Sequence, residues 1–205
     1  MPYGYLGQNT PNQTVSNSGV FDISSAADLT KQGKFGGSLE LIEEQTASSD
    51  SALDFTSIKQ GKYDVHLMQY NLDLNGYEQL YLRFYESGVL ETASVYEYAN
   101  QFGSTNASFN DGLRSTGATQ ILLSFTNQHQ NQGYIYLYNL GNSSKYSFTT
   151  HHSFVDDSGN SRFFFLFGGG LLPQASEVDG IRIFPQTTNF TGSVKLYGVK
   201  QLWVL

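Results

Sequence analysis

His151 and His152 stand shortly before Asp156 and Asp157, so imidazoles and carboxylates would share one ion if this stretch folded back on itself. Neighbouring residues on a strand point to opposite faces, however, and regular backbone would keep the two imidazoles apart. No metal is expected there, and His66 and His129 have no companion ligands. Glu86, Glu91 and Glu97 offer carboxyl groups, of which glycoside hydrolysis needs two converging within about 5–10 Å. Their spacing does not say whether any pair converges, and solvated carboxylates are the simpler reading. There is no Gly-x-Ser-x-Gly elbow and no cysteine, so only Ser, Thr or a carboxylate is left as a nucleophile. No catalytic residue is assigned.

Two stretches imitate ligand loops. Residues 71–76, Asn-Leu-Asp-Leu-Asn-Gly, match the opening of an EF-hand calcium loop, yet its twelfth position, where a bidentate Glu is required, is Leu82. Gly168-Gly169-Gly170 lacks the Lys-Ser/Thr of a phosphate-cradling loop and reads as a bend. No cofactor is implied. Tyr134, Tyr136 and Tyr138 are different: they alternate with Ile135 and Leu137, which puts three phenol rings on one face of a strand. Such a stripe could stack on sugar rings, and it could equally be cross-strand packing with the hydroxyls at a rim.

Elements able to position these residues follow from composition and period. The 205 residues hold 21 Gly, 14 Tyr and 15 Phe, with only 14% charged, a balance that favours strands and turns in a single core. A net charge of −7 argues against a binder of phosphate backbones, which needs clustered Lys and Arg, so no nucleic acid is expected. Without cysteine, packing and ladder hydrogen bonds must supply stability. The first residues carry neither a basic region nor an apolar run, and nothing approaches the roughly 18 apolar residues of a membrane span. Synthesis in a cytosol without membrane insertion is the expectation. The sequons at Asn12, Asn106, Asn142 and Asn189 are read as chance products of a polar surface.

In order, residues 1–37 read as an arm whose Tyr3, Tyr5 and Leu6 have apolar surface to bury, followed by one short helix over 24–32 with Gly33 as its stop. Residues 38–205 read as the β domain. A strand is expected at 38–43, a loop at 45–51, and an extended piece at 53–55. Residues 63–70 and 80–85 form an expected hairpin around the turn 71–76. Glu86-Ser87-Gly88 is a second turn, 90–98 is left open between helix and strand, and 102–119 reads as a long polar loop suited to binding or assembly. Strands are expected at 120–126, 133–138 and 145–150. Residues 162–167 are apolar on both faces, the pattern of a strand covered on both sides and ended by the three glycines. Finally, 179–200 reads as a closing hairpin, Ile181 and Ile183 opposing Arg182, Val194 and Leu196 opposing Lys195. Trp203 lies in an apolar tail, 199–205, expected to be buried. Strands every 8–12 residues with little helix predict an all-β, antiparallel, jelly-roll-like β-sandwich.

Three segments carry a resemblance. Residues 63–84, YDVHLMQYNLDLNGYEQLYLRF, show a Tyr-Asp-x-apolar strand followed by Leu-x-Leu-Arg-Phe, and 86–98, ESGVLETASVYEY, is a loop with a Tyr-containing segment. Residues 179–200 end in FTGSVKLYGVK. In this order they resemble virion structural proteins of tailed phages, marine phages and cyanophages in particular, whose terminal module carries Ser/Thr-Gly-x-Val/Ile-x-Leu-Tyr-Gly-Val/Ile. The opening residues 2–7 and 18–21 are similar to the starts of such proteins. The resemblance implies a non-enzymatic component on the outside of a virion, as a tail fibre, tail tip or capsid decoration, with a role in host attachment. It implies other virion proteins as partners and a homo-oligomer, a trimer among the options. A lectin-like module binding a host cell-surface glycan through Tyr134, Tyr136 and Tyr138 is the alternative, and a depolymerase has the least support.

Overall fold

The structure, a computed structural model, describes residues 39–76, 78–105, 107–126, 129–157 and 162–200. The expected arm with Tyr3, Tyr5 and Leu6, the helix over 24–32 and the tail bearing Trp203 lie outside them. In chain order the strands are β1 (Leu39–Asp50), β2 (Leu53–Phe55), β3 (Val65–Leu74), β4 (Glu78–Glu86), β5 (Val89–Leu90), β6 (Tyr96–Ser104) and β7 (Ala107–Ala118). They continue as β8 (Ile121–Thr126), β9 (His129–Tyr138), β10 (Ser147–Asp157), β11 (Arg162–Leu172), β12 (Val178–Pro185) and β13 (Phe190–Val199).

Eight strands form one antiparallel sheet in the order β1-β13-β3-β9-β10-β11-β6-β7. The other five form a second, β2-β12-β4, with β5 and β8 sharing the far edge of β4. Period two assigns each side chain to a face. From the larger sheet Met68, Tyr70, Leu72, Ile135, Leu137, Val194 and Leu196 enter the core; from the smaller come Leu80, Leu82, Phe84, Ile181 and Ile183. Each fully buried side chain of this size contributes about 1.5–3 kcal/mol, so this one cluster holds both sheets.

Both expected hairpins are corrected. β3 pairs with β13 and β9, whereas β4 pairs with β12, β8 and β5, so consecutive strands lie in different sheets. β12 and β13 separate in the same way, β12 between β2 and β4, β13 between β1 and β3. In β3 the alternation runs on through Leu72 and Leu74, which are buried, so residues expected to turn at 71–74 extend the strand. β1 likewise runs on to Asp50 through the expected loop at 45–51.

The long polar loop at 102–119 is mostly strand. β7 pairs with β6 through three register shifts at the edge of the larger sheet, where one partner suffices and no strict alternation is needed. Nor do the glycines at 168–170 end β11, which passes through them to Leu172. The turn at Ser87-Gly88 holds: both residues have positive φ, 51° and 74°, and join β4 to β5 as a two-residue hairpin.

Candidate functional site

The outward faces of the two sheets are built differently. On the smaller sheet the rings are capped by cations: Arg83 lies 4.9 Å from the Phe184 centroid and Arg182 lies 5.8 Å from that of Tyr85. Arg182 also makes two 2.7 Å bonds to the Asp54 carboxylate, and the Tyr85 hydroxyl donates to Asp54 at 2.8 Å. That surface satisfies itself.

On the larger sheet the tyrosine stripe faces out, as its alternation predicts, with Ile135 and Leu137 in the core. The stripe is one edge of a larger array. Tyr138, Tyr136 and Tyr134 run along β9 with centroids 6.4 and 5.9 Å apart, and Tyr134 meets His152 on β10 at 6.0 Å. His152 is the hub, contacting Phe154 at 4.5 Å and, on β11, Phe165 at 6.3 Å and Phe167 at 6.0 Å. Phe163 closes the set against Phe154 and Phe165. These separations suit offset or edge-on pairs. Tyr134, Phe148, Phe154, Phe163 and Phe167 remain between 38 and 43% exposed, and no cation caps these rings among the described residues.

This overturns one expectation. Residues 162–167 do occupy a central strand, but among the described residues only the inward Phe164 and Leu166 are covered, while Phe163 and Phe167 face outward. The sequence reading missed Phe148, His152, Phe154, Phe163, Phe165 and Phe167 as one surface. Their signal is parity: 148, 152 and 154 alternate outward on β10, and 163, 165 and 167 on β11, which registers Phe154 against Phe165 and His152 against Phe167.

Beside the rings lies a groove of about 640 Å³ over β13, β3, β9 and β10, lined by Tyr134, Tyr136 and Phe154 and by Gln69, Asn71, Gln132, Ser193 and Lys195. Lys195 is paired with Glu44 at 3.4 Å. The side chains of Gln69, Asn71, Gln132 and Ser193 make no hydrogen bond among the described residues, so three amides and a hydroxyl face the groove with donors and acceptors to spare. Flat apolar rings beside uncommitted amides form a chemistry for amphipathic, hydroxyl-rich ligands.

The other candidates resolve otherwise. His151 and His152 point to opposite faces as predicted, His151 being 3% exposed between the sheets. Burial, and to a smaller extent the neighbouring His152, push the His151 imidazole down to about 4, and His66, whose Nε2 lies 2.8 Å from the Ile58 carbonyl, is lowered by burial too. Among the described residues no three His, Cys, Asp or Glu come together to hold a metal ion. Glu86 and Glu91 do converge: burial first, then the neighbouring Glu91, raises the Glu86 carboxyl, which also accepts a bond from Ser176. They line neither groove on the larger sheet, and Glu97 sits apart from them, on β6 opposite Leu171.

No protein-family model matches the chain, and a search of curated proteins returns no relative.

Proposed function

We propose that this chain is a non-catalytic carbohydrate-binding module of jelly-roll-like sandwich form, which presents the outward face of its larger sheet to a surface glycan. The observation that carries the reading is the contrast between faces. Rings on the smaller sheet are capped by arginines, whereas among the described residues no cation caps Tyr134, Tyr136, Phe154 or Phe163 on the larger sheet, and the adjoining side chains of Gln69, Asn71, Gln132 and Ser193 make no hydrogen bond. An exposed aromatic patch of this kind is unusual on a surface with no partner. Sugars match it because the axial C–H face of a pyranose is apolar while its rim carries hydroxyls for amides to bond.

The setting, supported by the resemblance of residues 63–98 and 179–200 to tailed-phage structural proteins, is the outside of a virion. There the module is part of a fibre, a tail tip or a head decoration, assembled with other virion proteins and with copies of itself. Weak single-site affinity would suffice, because repeated copies add through effective concentration. Detection of the chain in purified particles by mass spectrometry would support that setting, and its absence from them would remove it.

Affinity electrophoresis through gels containing hydroxyethylcellulose, xylan, galactomannan or dextran tests the binding reading. The wild type should be retarded by at least one polymer, and Tyr134→Ala with Phe154→Ala should migrate freely, each truncation costing about tenfold in Kd or ~1.4 kcal/mol. Equal migration in every gel would overturn the reading. So would sedimentation showing that the same pair of changes turns an oligomer into monomers, since the face would then be an assembly interface.

A further inference from the structure

Three parallel rows of side chains cross the outward face of the larger sheet at right angles to its strands. The middle row runs Leu67, Tyr136, Thr150, Gly169, Ala99, Arg114, each registered against the next on strands β3, β9, β10, β11, β6 and β7. One neighbouring row includes Tyr138, Phe148 and Leu171, and the other Tyr134, His152 and Phe167. From Thr150 to Ala99 the middle row therefore carries only a hydroxyl-bearing side chain, a hydrogen and a methyl group between two rows of large side chains, before it ends on Arg114. The result is a trough with a floor of small residues, flanked on β10 and β11 by Phe148 and Leu171 on one side and His152 and Phe167 on the other, and on β6 by Glu97 and Gln101.

A second groove of about 640 Å³ lies over the Gly169 and Ala99 part of this floor, bordered on one side by Phe148 and Leu171 and reaching Glu97 and Arg114. Its floor is enforced at Gly169, where a Cβ would stand 2.8 Å from the Thr149 carbonyl oxygen. Farther along the same row Tyr136 lines the first groove beside Gln69 and Asn71, so the two depressions lie on one line with Thr150 between them.

Resting on the carbohydrate reading above, we infer that the ligand is an extended, uncharged polysaccharide chain that crosses the strands from the β3–β9 groove through this trough to β7. The five interstrand steps from β3 to β7, at about 4.8 Å each, give a path of roughly 24 Å. The ligand is uncharged because none of the three rows offers Asp, Glu, Lys or Arg on β3, β9, β10 or β11. Charge borders the path at its two ends, through Lys195, paired with Glu44, beside the β3–β9 groove and through Glu97 and Arg114, of opposite sign, at β6 and β7. A polyanion would find no row of cations to pair with. A neutral chain finds walls for its ring faces and a hydroxyl at Thr150, which Tyr138 already contacts at 3.2 Å.

Isothermal titration with neutral cello-, xylo- and malto-oligosaccharides of increasing length, on the full chain, tests this. For the series that binds, Kd should fall with length and level off once the oligomer spans roughly 24 Å. Ala99→Trp, which fills the exposed far end of the floor, should weaken the longest oligomers about tenfold and the shortest by less, and Thr150→Trp, beside Tyr136, should weaken the shorter ones as well. Length-independent affinity with no effect of either change would overturn the trough while leaving the β3–β9 groove as the carbohydrate site. Tighter binding of oligogalacturonate than of every neutral series would overturn the uncharged ligand. Failure of every oligosaccharide, with both variants folded, would overturn the carbohydrate reading itself.

Discussion

The phenolic hydroxyl of Tyr70 on β3 and the Ser153 hydroxyl on β10 lie 2.6 Å apart, and Ser153 donates its own hydrogen to the Leu123 carbonyl on β8, also at 2.6 Å. Because Ser153 has one hydrogen to give, Tyr70 must be the donor of the first bond. A buried chain of hydrogen bonds thus ties the larger sheet to the smaller one, and burial raises the Tyr70 phenol well above its ordinary range. Ser153→Ala strands the Tyr70 hydroxyl and the Leu123 carbonyl and should cost about 1–3 kcal/mol, whereas Tyr70→Phe removes only one acceptor's partner and should cost nearer 1 kcal/mol. Urea denaturation of the two variants gives the order.

Gly133 lies beneath this bond. A Cβ there would stand 2.4 Å from the Tyr70 hydroxyl and 2.4 Å from the His152 carbonyl oxygen. Since the second contact is backbone, Gly133→Ala should destabilise by about 3 kcal/mol or more, and combining it with Tyr70→Phe should not restore stability. Thermal unfolding of the single and double variants checks both statements.

Stability should fall as acid is added across the window in which His151 protonates only when unfolded. Its imidazole is held near 4 in the folded chain against an ordinary 6.5, so between these values the unfolded chain binds more protons and the native state loses ground as pH drops. The full loss is about 3 kcal/mol. His66 is shifted the same way, so His151→Leu should flatten the slope between pH 6.5 and 4 without abolishing it. A further loss below 4.5 is expected from Glu40, whose carboxyl is lowered to about 2, chiefly by its hydrogen bond from Lys62. Its contribution is present above 4.5 and disappears as pH falls towards 2. Chemical denaturation at successive pH values measures both windows.

Arg182 and Asp54 form a two-pronged pair between β12 and the three-residue strand β2, both side chains about one third exposed. Arg182→Lys keeps the charge but cannot reproduce the fork. It should cost no more than about 1 kcal/mol, because solvent screens the pair, yet amide exchange at residues 53–55 should quicken, since that strand has few other ties. Hydrogen exchange read by NMR would detect the difference.

How far the sequence foretells this molecule depends on how local the determinant is. The parity of Ile181 and Ile183 against Arg182, the outward tyrosine stripe and the opposed faces of His151 and His152 all follow from the pleat, and each is found. Partner choice is not local. Strands adjacent in sequence usually pair, but β3 with β4 and β12 with β13 instead part into different sheets. The edge strand β7 is polar and interrupted by register shifts, so it reads as a loop. Exposure of the candidate site was hidden for a related reason: an apolar run such as Phe163 to Phe167 shows which parity each residue has, not whether anything lies over the second face.

If the outward face of the larger sheet is the binding surface, aromatic NMR resonances followed during titration with a retained neutral oligosaccharide report it most directly. Signals of Tyr134, Tyr136, His152 and Phe154 should shift in a saturable way, while those of Tyr81, Tyr85 and Phe184 on the smaller sheet stay in place. Saturable shifts confined to Tyr81, Tyr85 and Phe184, or none at any ring, would contradict it.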